Sequence, residues 1–365
     1  MKLIFTILIF LGSFAITAQE NNSKVIDTVQ KKLKELNIPG LQVAIIHNNE
    51  IEVLESFGYA NVPFSIKTND STMFSINSIA KIFASTAIMQ LVEKDQINID
   101  KPIEKYLDNL PQKWNSITIR QLLSHTSGLP EIENSETEGL IGGKGQDSAW
   151  AAVQNLPLLS QPGEKFNYNA TNYLLIQKII EKYGKLPYEE FIKKNQFDIV
   201  GMTKTHFGHS FEVVENQSPT YCYYYLDKST GDYVKGNTLL EVSETFPTML
   251  RADAGVFSTA SDLAKWIMGL QDGKFLKKNN VRQMWKPVKL KNGTFGGFGG
   301  ILNAYSLGWP VIKRKEHIAV APIGGGRASL NIYPDDQLSI ILLTNLSGIP
   351  TYEIVDDIAK LYFEK

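Results

Sequence analysis

The spacing of apolar residues in the first 60 positions predicts an amphipathic helix followed by a β-hairpin. Apolar residues recur at helical spacing up to a Pro39-Gly40 stop, at Val25, Val29, Leu33 and Leu36. The runs 41–46 and 51–57 are rich in β-branched residues, and a short polar connection separates them. We expect these two runs to pair as antiparallel strands.

The rest of the chain alternates between helical and strand patterns. The run from Ile79 to Val92 is apolar almost all round, which predicts a helix buried on most of its faces. From about residue 100 to 197 helical and loop patterns prevail and strand patterns are scarce. Strand patterns return at 220–226, 329–333 and 338–343, before a closing helix over 352–362.

This order predicts an α+β fold, in which helices flank one antiparallel sheet and an all-helical domain is inserted. We assign residues 19–85 and 200–365 to the sheet domain and residues 86–199 to the helical domain. A cleft between the two domains is the expected place for a functional site.

Residues 1–18 have the composition of a signal peptide. Lys2 precedes a nearly unbroken apolar run, and small residues lead to Ala18. The run is too short to span a bilayer, so we expect cleavage after Ala18 and a periplasmic or secreted protein. An uncleaved anchor is the alternative, because Ile16 is bulky for a position so close to the cleavage site.

Composition narrows the range of functions. The 365 residues carry a formal net charge of −1, and 43% of them are hydrophobic. Near-zero charge argues against a nucleic-acid partner, which requires a concentrated basic surface. The single cysteine, Cys222, excludes an internal disulfide and a cysteine-rich metal site. We expect neither a metal nor an organic cofactor.

Ser78 and Lys81 lie three positions apart at the start of the predicted buried helix, so both side chains project from one face of its first turn. A hydroxyl becomes a good nucleophile when a base takes its proton, and a desolvated amine can be that base. The alternative is a capping serine beside a solvated lysine. A helix this apolar has little solvated face for Lys81.

Four segments carry a resemblance to a known family: Phe74–Lys81, Ile119–Pro130, Gly255–Leu263 and Leu343–Leu346. In this order they resemble landmarks of the serine hydrolases of the penicillin-recognising fold, which include class C β-lactamases, D,D-peptidases and related esterases. The resemblance covers nearly all of the expected mature chain. It implies a β-lactamase/transpeptidase-like fold, with Ser78 as nucleophile and Lys81 as its base.

The resemblance also implies a Tyr-x-Asn element, and the segment that begins at Tyr168 is similar to it. Tyr168 matches the expected tyrosine and could relay a proton to the leaving group. Ala170 stands where the family has asparagine. Asn169 and Asn172 are the candidates to take over substrate binding from the missing amide.

A third element of the family is Lys or His, any residue, then Gly, and Pro322-Ile323-Gly324 lies at the matching place. Gly324 and Gly325 would allow close substrate approach, and the Gly325 N–H could pair with that of Ser78 as an oxyanion hole. Proline supplies no charge for a substrate carboxylate. Arg327 is a candidate to supply it, with a surface arginine as the alternative.

These residues predict an exported serine hydrolase that forms an acyl-enzyme on a small-molecule ester, amide or peptide. Ala170 and Pro322 remove two groups that recognise acylamino-carboxylate substrates, which favours esters. The alternatives are a D,D-peptidase, a β-lactamase, or an inactive protein of the same fold that binds cell-wall fragments. The sequence does not determine the oligomeric state.

Overall fold

The computed structural model describes residues 22–134, 139–143, 145–227 and 229–363. The predicted signal peptide, residues 1–18, lies outside these ranges. Within them, no helix is both long enough and apolar enough to cross a bilayer.

The helices include most of the predicted ones. Short 3₁₀ helices span Asn77–Ala80, Ile103–Lys105, Gln112–Trp114 and Thr248–Leu250. A π-helical turn spans Lys193–Phe197. The α-helices are α1 (22–35), α2 (Lys81–Glu93), α3 (Ile119–Leu123), α4 (Gln146–Asn155), α5 (Ala170–Gly184), α6 (Tyr188–Ile192), α7 (Asp198–Val200), α8 (Ala260–Gln271), α9 (Lys278–Trp285) and α10 (Thr351–Phe363).

The strands in chain order are β1 (Gly40–His47), β2 (Glu50–Asn61), β3 (Ile66–Lys67), β4 (Phe74–Ser75), β5 (Glu133–Asn134), β6 (Gly139–Leu140), β7 (His206–Phe207), β8 (Thr220–Leu226), β9 (Tyr233–Val242), β10 (Val256–Ser258), β11 (Ala304–Tyr305), β12 (Pro310–Ile312), β13 (Ala319–Val320), β14 (Ile323–Gly324), β15 (Ala328–Tyr333) and β16 (Leu338–Thr344). The main sheet has the order β11-β12-β13-β15-β16-β1-β2-β3, and β14 pairs with β15. Its pairings are antiparallel, as predicted.

Strand β1 lies inside the sheet and is buried on both faces. Val43 pairs with Leu342 of β16 on one side and with Glu55 of β2 on the other. Because successive side chains of a strand point to opposite faces, Val43 joins the core under α1 and α10, whereas Ala44 joins the core that contains α2, α5 and α8. This double burial explains why the sequence of β1 is mostly apolar; the buried exception, Gln42, hydrogen-bonds to the Ala260 N–H and the Asn69 carbonyl.

The predicted buried helix is present as α2, preceded by the 3₁₀ turn Asn77–Ala80. Phe83 packs edge-on against Phe197 and against Trp266 of α8, and α2 packs along α5. The larger core therefore joins the segment 86–199 to the sheet. The division into a sheet domain and a helical domain stays a prediction.

Candidate active site

A small sheet places the start of α2 next to a distant part of the chain. Strand β4, which precedes Ser78, pairs antiparallel with β10, and the Ile76 N–H donates to the Val256 carbonyl at 3.0 Å. This pairing brings the residues just before β10, including Asp253, to the first turn of the helix. Sequence reasoning missed Asp253; the available signal was its place two positions before the landmark that begins at Gly255.

Lys81 points inward and is 1% exposed. Its Nζ donates to Ser78 Oγ at 3.1 Å and to the Asp253 carbonyl at 3.2 Å, and it lies 2.7 Å from Asp253 Oδ1. The buried ammonium is therefore paired with a carboxylate, as a charge in a protein interior requires. The structure brings the predicted nucleophile and base into contact and adds a third group.

Tyr168 closes the site from the end of the loop before α5. Lys81 Nζ lies 4.6 Å from the centre of its ring and 5.2 Å from that of Tyr173. Burial of the phenol raises the pKa of Tyr168 well above its ordinary value, and the charge of Asp253 raises it further, while a side-chain hydrogen bond with Ser78 opposes this shift. Tyr168 therefore presents a neutral hydroxyl to the nucleophile.

The predicted glycines lie directly beside the nucleophile. A Cβ on Gly324 would come within 2.0 Å of the Ile76 carbonyl oxygen, and Gly325 has a φ of +54°. Gly324 has no room for a side chain, and the left-handed backbone of Gly325 favours glycine. The Gly325 N–H has no acceptor within the described part of the chain. It is thus available for a developing anion.

Arg327 is not placed to receive a substrate carboxylate, which corrects the expectation from the sequence. Its side chain is 2% exposed, and its Nη2 lies 2.5 Å from Glu244 Oε1. The charge is already balanced by a carboxylate of the protein, so a second carboxylate would have to displace Glu244. The sequence could not show this because the two residues are far apart in the chain.

Asn169 is likewise not a substrate-binding residue in this structure. Its Oδ1 accepts from the Asn172 N–H at 3.1 Å, which caps α5, and its Nδ2 donates to the Leu129 carbonyl at 3.1 Å. The amide of Asn172 is also occupied, since it bonds to Ser127 and to the ring of His125. Neither residue replaces the amide that is missing at Ala170.

His125 is buried among aromatic rings and serves as an acceptor. Its Nδ1 accepts from the Asn169 N–H at 3.2 Å. Burial lowers the pKa of His125 well below its ordinary value, and the positive charge of Lys81 lowers it further. The neutral ring of His125 thus holds the loop beside Tyr168 and has a structural role.

Two further carboxyl groups, of Glu131 and Glu133, lie near this site and were not predicted. The Glu131 carboxylate accepts from the Ala170 N–H at 3.1 Å, at the start of α5, yet desolvation raises its pKa. Glu133 is exposed as a residue, but its carboxyl lacks full hydration and faces the charges of Asp253 and Glu131, which together raise its pKa to about 7.

Comparison with known proteins assigns the family. The sequence profile of the Beta-lactamase family matches residues 25–363. Protein flp of Staphylococcus aureus (strain N315) is 25% identical over 335 residues, which are 90% of this chain and 64% of that protein. The chain therefore spans slightly less than two thirds of that relative.

Solved structures share the fold. The octameric penicillin-binding protein homologue from Pyrococcus abyssi superposes with a TM-score of 0.78 at 26% identity and covers 94% of this chain and 77% of its own. EstCE1, described as a hydrolase with promiscuous acyltransferase activity, has a TM-score of 0.76 at 19% identity and covers 95% of this chain and 100% of its own. The profile match over residues 25–363 shows that the protein belongs to the Beta-lactamase family, and the solved structures share its penicillin-recognising fold.

Proposed function

We propose that this protein is an exported serine hydrolase that acts through an acyl-enzyme on small ester or amide substrates. The observation that carries the proposal is the contact between Ser78 Oγ and the buried Nζ of Lys81 at 3.1 Å. Lys81 Nζ is in turn paired with Asp253 Oδ1 at 2.7 Å. Nucleophile, base and a group that orients the base are the parts that covalent catalysis needs. Export rests on the composition of residues 1–18.

The proton of Ser78 leaves through a pair of groups. As Lys81 Nζ passes one of its protons to Asp253, its lone pair accepts the proton of Ser78, and Oγ bonds to the carbonyl carbon. The carbonyl electron pair moves to its oxygen, forming the tetrahedral anion. When this anion collapses, the bond to the leaving group breaks, and the leaving oxygen or nitrogen takes a proton from Lys81 or through the Tyr168 hydroxyl. Asp253 then returns its proton to Lys81, which restores the starting charges of the pair. Water attacks the acyl carbon as Ser78 did and loses its proton by the same route, and Ser78 Oγ leaves with a proton from Lys81, which releases the acid.

The raised pKa of Tyr168 supports the proton-relay role that the sequence suggested and argues against a role as the base that activates Ser78. A phenol that resists ionisation is a poor base, but it remains able to donate to one atom while it accepts from another. We assign Tyr168 to proton transfer toward the leaving group and not to activation of Ser78. The oxyanion is assigned to the N–H groups of Ser78 and Gly325.

The charges around Ser78 favour a substrate without a carboxylate. Asp253, Glu131 and Glu133 are acidic, whereas the charge of Lys81 is balanced by Asp253 and that of Arg327 by Glu244. Bidentate recognition of a substrate carboxylate normally uses an unpaired cation. An uncharged acyl ester or amide is therefore the preferred substrate class.

A labelling experiment tests the nucleophile. A fluorophosphonate probe is incubated with the purified protein, and the modified peptide is identified by mass spectrometry. We expect one adduct on Ser78, no adduct in Ser78→Ala, and strongly reduced labelling in Lys81→Ala. Wild-type protein that stays unlabelled would support the alternative, an inactive binding protein of the same fold.

A substrate panel tests the preference for uncharged acyl groups. Short p-nitrophenyl esters, D-amino-acid amides, a D-Ala-D-Ala peptide and a cephalosporin are compared by kcat/KM. We expect the esters to be the best substrates. A cephalosporin or a D-Ala-D-Ala peptide turned over faster than the esters would assign the protein to the β-lactamase or D,D-peptidase alternatives, in line with the penicillin-binding proteins to which it is similar.

A further inference from the structure

A salt bridge behind the nucleophile has no role in the chemistry described so far. The chain turns sharply between β14 and β15, where the Arg327 N–H donates to the Gly324 carbonyl at 3.0 Å. This turn lies against the residues just before Ser78. A Cβ on Gly325 would be 2.3 Å from an atom of the Asn77 side-chain amide and 2.9 Å from Arg327 Nε. The Asn77 amide is therefore held between the turn and the guanidinium.

Asn77 has a left-handed backbone at a sensitive position. Its φ of +45° lies in a region that asparagine adopts more readily than most residues with a side chain, and Ser78 follows it directly. Such a conformation persists when its surroundings hold it. With its oxygen turned toward Arg327, the Asn77 amide accepts from Nε at 3.3 Å and from Nη2. This is the contact that can hold the backbone in place.

Glu244 fixes the guanidinium from the other side. Nη2 of Arg327 is shared between Asn77 and Glu244, whose Oε1 lies 2.5 Å away. Glu244 is itself anchored, because its carbonyl accepts from the Ser210 N–H at 3.1 Å. The planar fork of arginine holds its N–H groups in fixed directions toward the two partners, whereas the ammonium of lysine is a single point on a flexible stem.

We propose that Arg327, held by Glu244, is a positioning residue for acyl transfer. It supports the left-handed Asn77 and the glycine turn together, and so keeps the Ser78 hydroxyl in register with the Gly325 N–H. The proposal rests on the function proposed above. It assigns Arg327 to the geometry of the transition state and not to the binding of a substrate charge.

The test compares Arg327→Met, Arg327→Lys and Glu244→Gln with wild type. Arg314→Met is the matched control, because Arg314 forms a similar pair with Asp356 at 3.0 Å against α10. The maximal rate constant of fluorophosphonate labelling and the probe concentration at half-maximal rate are measured separately, with circular dichroism as the check on folding. Labelling by an uncharged probe reports the approach of Ser78 and the stabilisation of the anion.

We expect Arg327→Met to lower the maximal labelling rate by at least about tenfold with a half-maximal probe concentration within about twofold of wild type. The maximal labelling rates of Arg327→Lys and Glu244→Gln should lie between those of Arg327→Met and wild type, and the rate of Arg314→Met should match that of wild type. If Arg327→Met fails to fold, the two milder variants decide.

Two results would overturn the proposal. One is folded Arg327 and Glu244 variants that label at the wild-type rate. The other is a raised KM of the Arg327 variants in ester hydrolysis that is seen only with esters that carry a carboxylate. That result would assign Arg327 to substrate binding. Wild-type protein that does not label at all removes the proposed function and this inference with it, whereas normal labelling of both wild type and variants removes only the inference.

Discussion

Removal of the Asp253 carboxylate is the sharpest test of the buried pair. Asp253→Asn keeps the shape of the side chain but leaves the ammonium of Lys81, which is 1% exposed, without its counter-ion at 2.7 Å. Breaking a buried pair at one partner typically costs 3–5 kcal/mol, and the asparagine carbonyl still offers a dipole. We therefore expect a loss of about 3 kcal/mol in the free energy of unfolding.

The companion change is Lys81→Met, which leaves Asp253 unpaired. Because the Asp253 side chain retains 12% exposure, some hydration remains, and a loss of about 2 kcal/mol is expected. The double variant contains no unpaired charge. Its loss should be no larger than about 2 kcal/mol, so the two changes should be coupled by about 3 kcal/mol.

The assay is urea unfolding of the four proteins, followed by circular dichroism and tryptophan fluorescence, together with ester hydrolysis. We expect Asp253→Asn to lower kcat/KM by about a hundredfold, because Lys81 loses the group to which it passes its proton. If the losses of the two single variants sum to that of the double variant within about 0.5 kcal/mol, the pairing of Lys81 with Asp253 is refuted. Wild-type activity in Asp253→Asn would refute the proton route even if the stability result stands.

Three further predictions concern the surroundings of the nucleophile. The pKa of Glu133 is raised to about 7 from 4.5, so its negative charge appears near Ser78 as the pH rises through about 7. The rate of wild type on a neutral ester, relative to that of Glu133→Gln, should therefore fall between about pH 6 and 8. The stability that the neutral carboxyl contributes below about pH 4.5 should be lost by about pH 7. Gly324→Ala places a Cβ 2.0 Å from the Ile76 carbonyl and should cost about 2 kcal/mol in the free energy of unfolding and at least about tenfold in kcat/KM. Asn169→Ala removes the cap of α5 and should cost about 2 kcal/mol, with the preference between neutral and anionic esters unchanged.

Each of these has a result that contradicts it. A pH profile of Glu133→Gln parallel to that of wild type would show that this carboxyl does not act on the site. Gly236→Ala is the control for Gly324→Ala, since the nearest neighbour of its Cβ would be the Tyr225 side chain at 3.0 Å and the Tyr223 carbonyl would lie at 3.7 Å. Equal effects of the two changes would refute a special role for Gly324. If Asn169→Ala lowers activity on anionic esters and leaves activity on neutral esters unchanged, Asn169 binds substrate after all.

The hydrophobic pattern by itself determined the main elements. Runs rich in β-branched and other apolar residues predicted β1, β15 and β16, and the nearly all-apolar run predicted α2, because burial on both faces leaves few polar positions. The proximity of Ser78 and Lys81 was also predictable, since a separation of three residues on a helix is a local geometric constraint. These features depend only on neighbours in the chain.

The partners of those residues were decided by the tertiary structure. Asp253 reaches Lys81 because β10 pairs with β4, and Glu244 reaches Arg327 through the turn after β14. Such pairings join residues far apart in sequence, and no local pattern marks them. Tertiary packing likewise decided the role of Asn169. The sequence suggested an amide available to substrate, whereas in the structure it is buried and caps α5. Charge balance in a buried site is therefore a property of the fold, because the cost of an unpaired charge depends on which distant groups surround it.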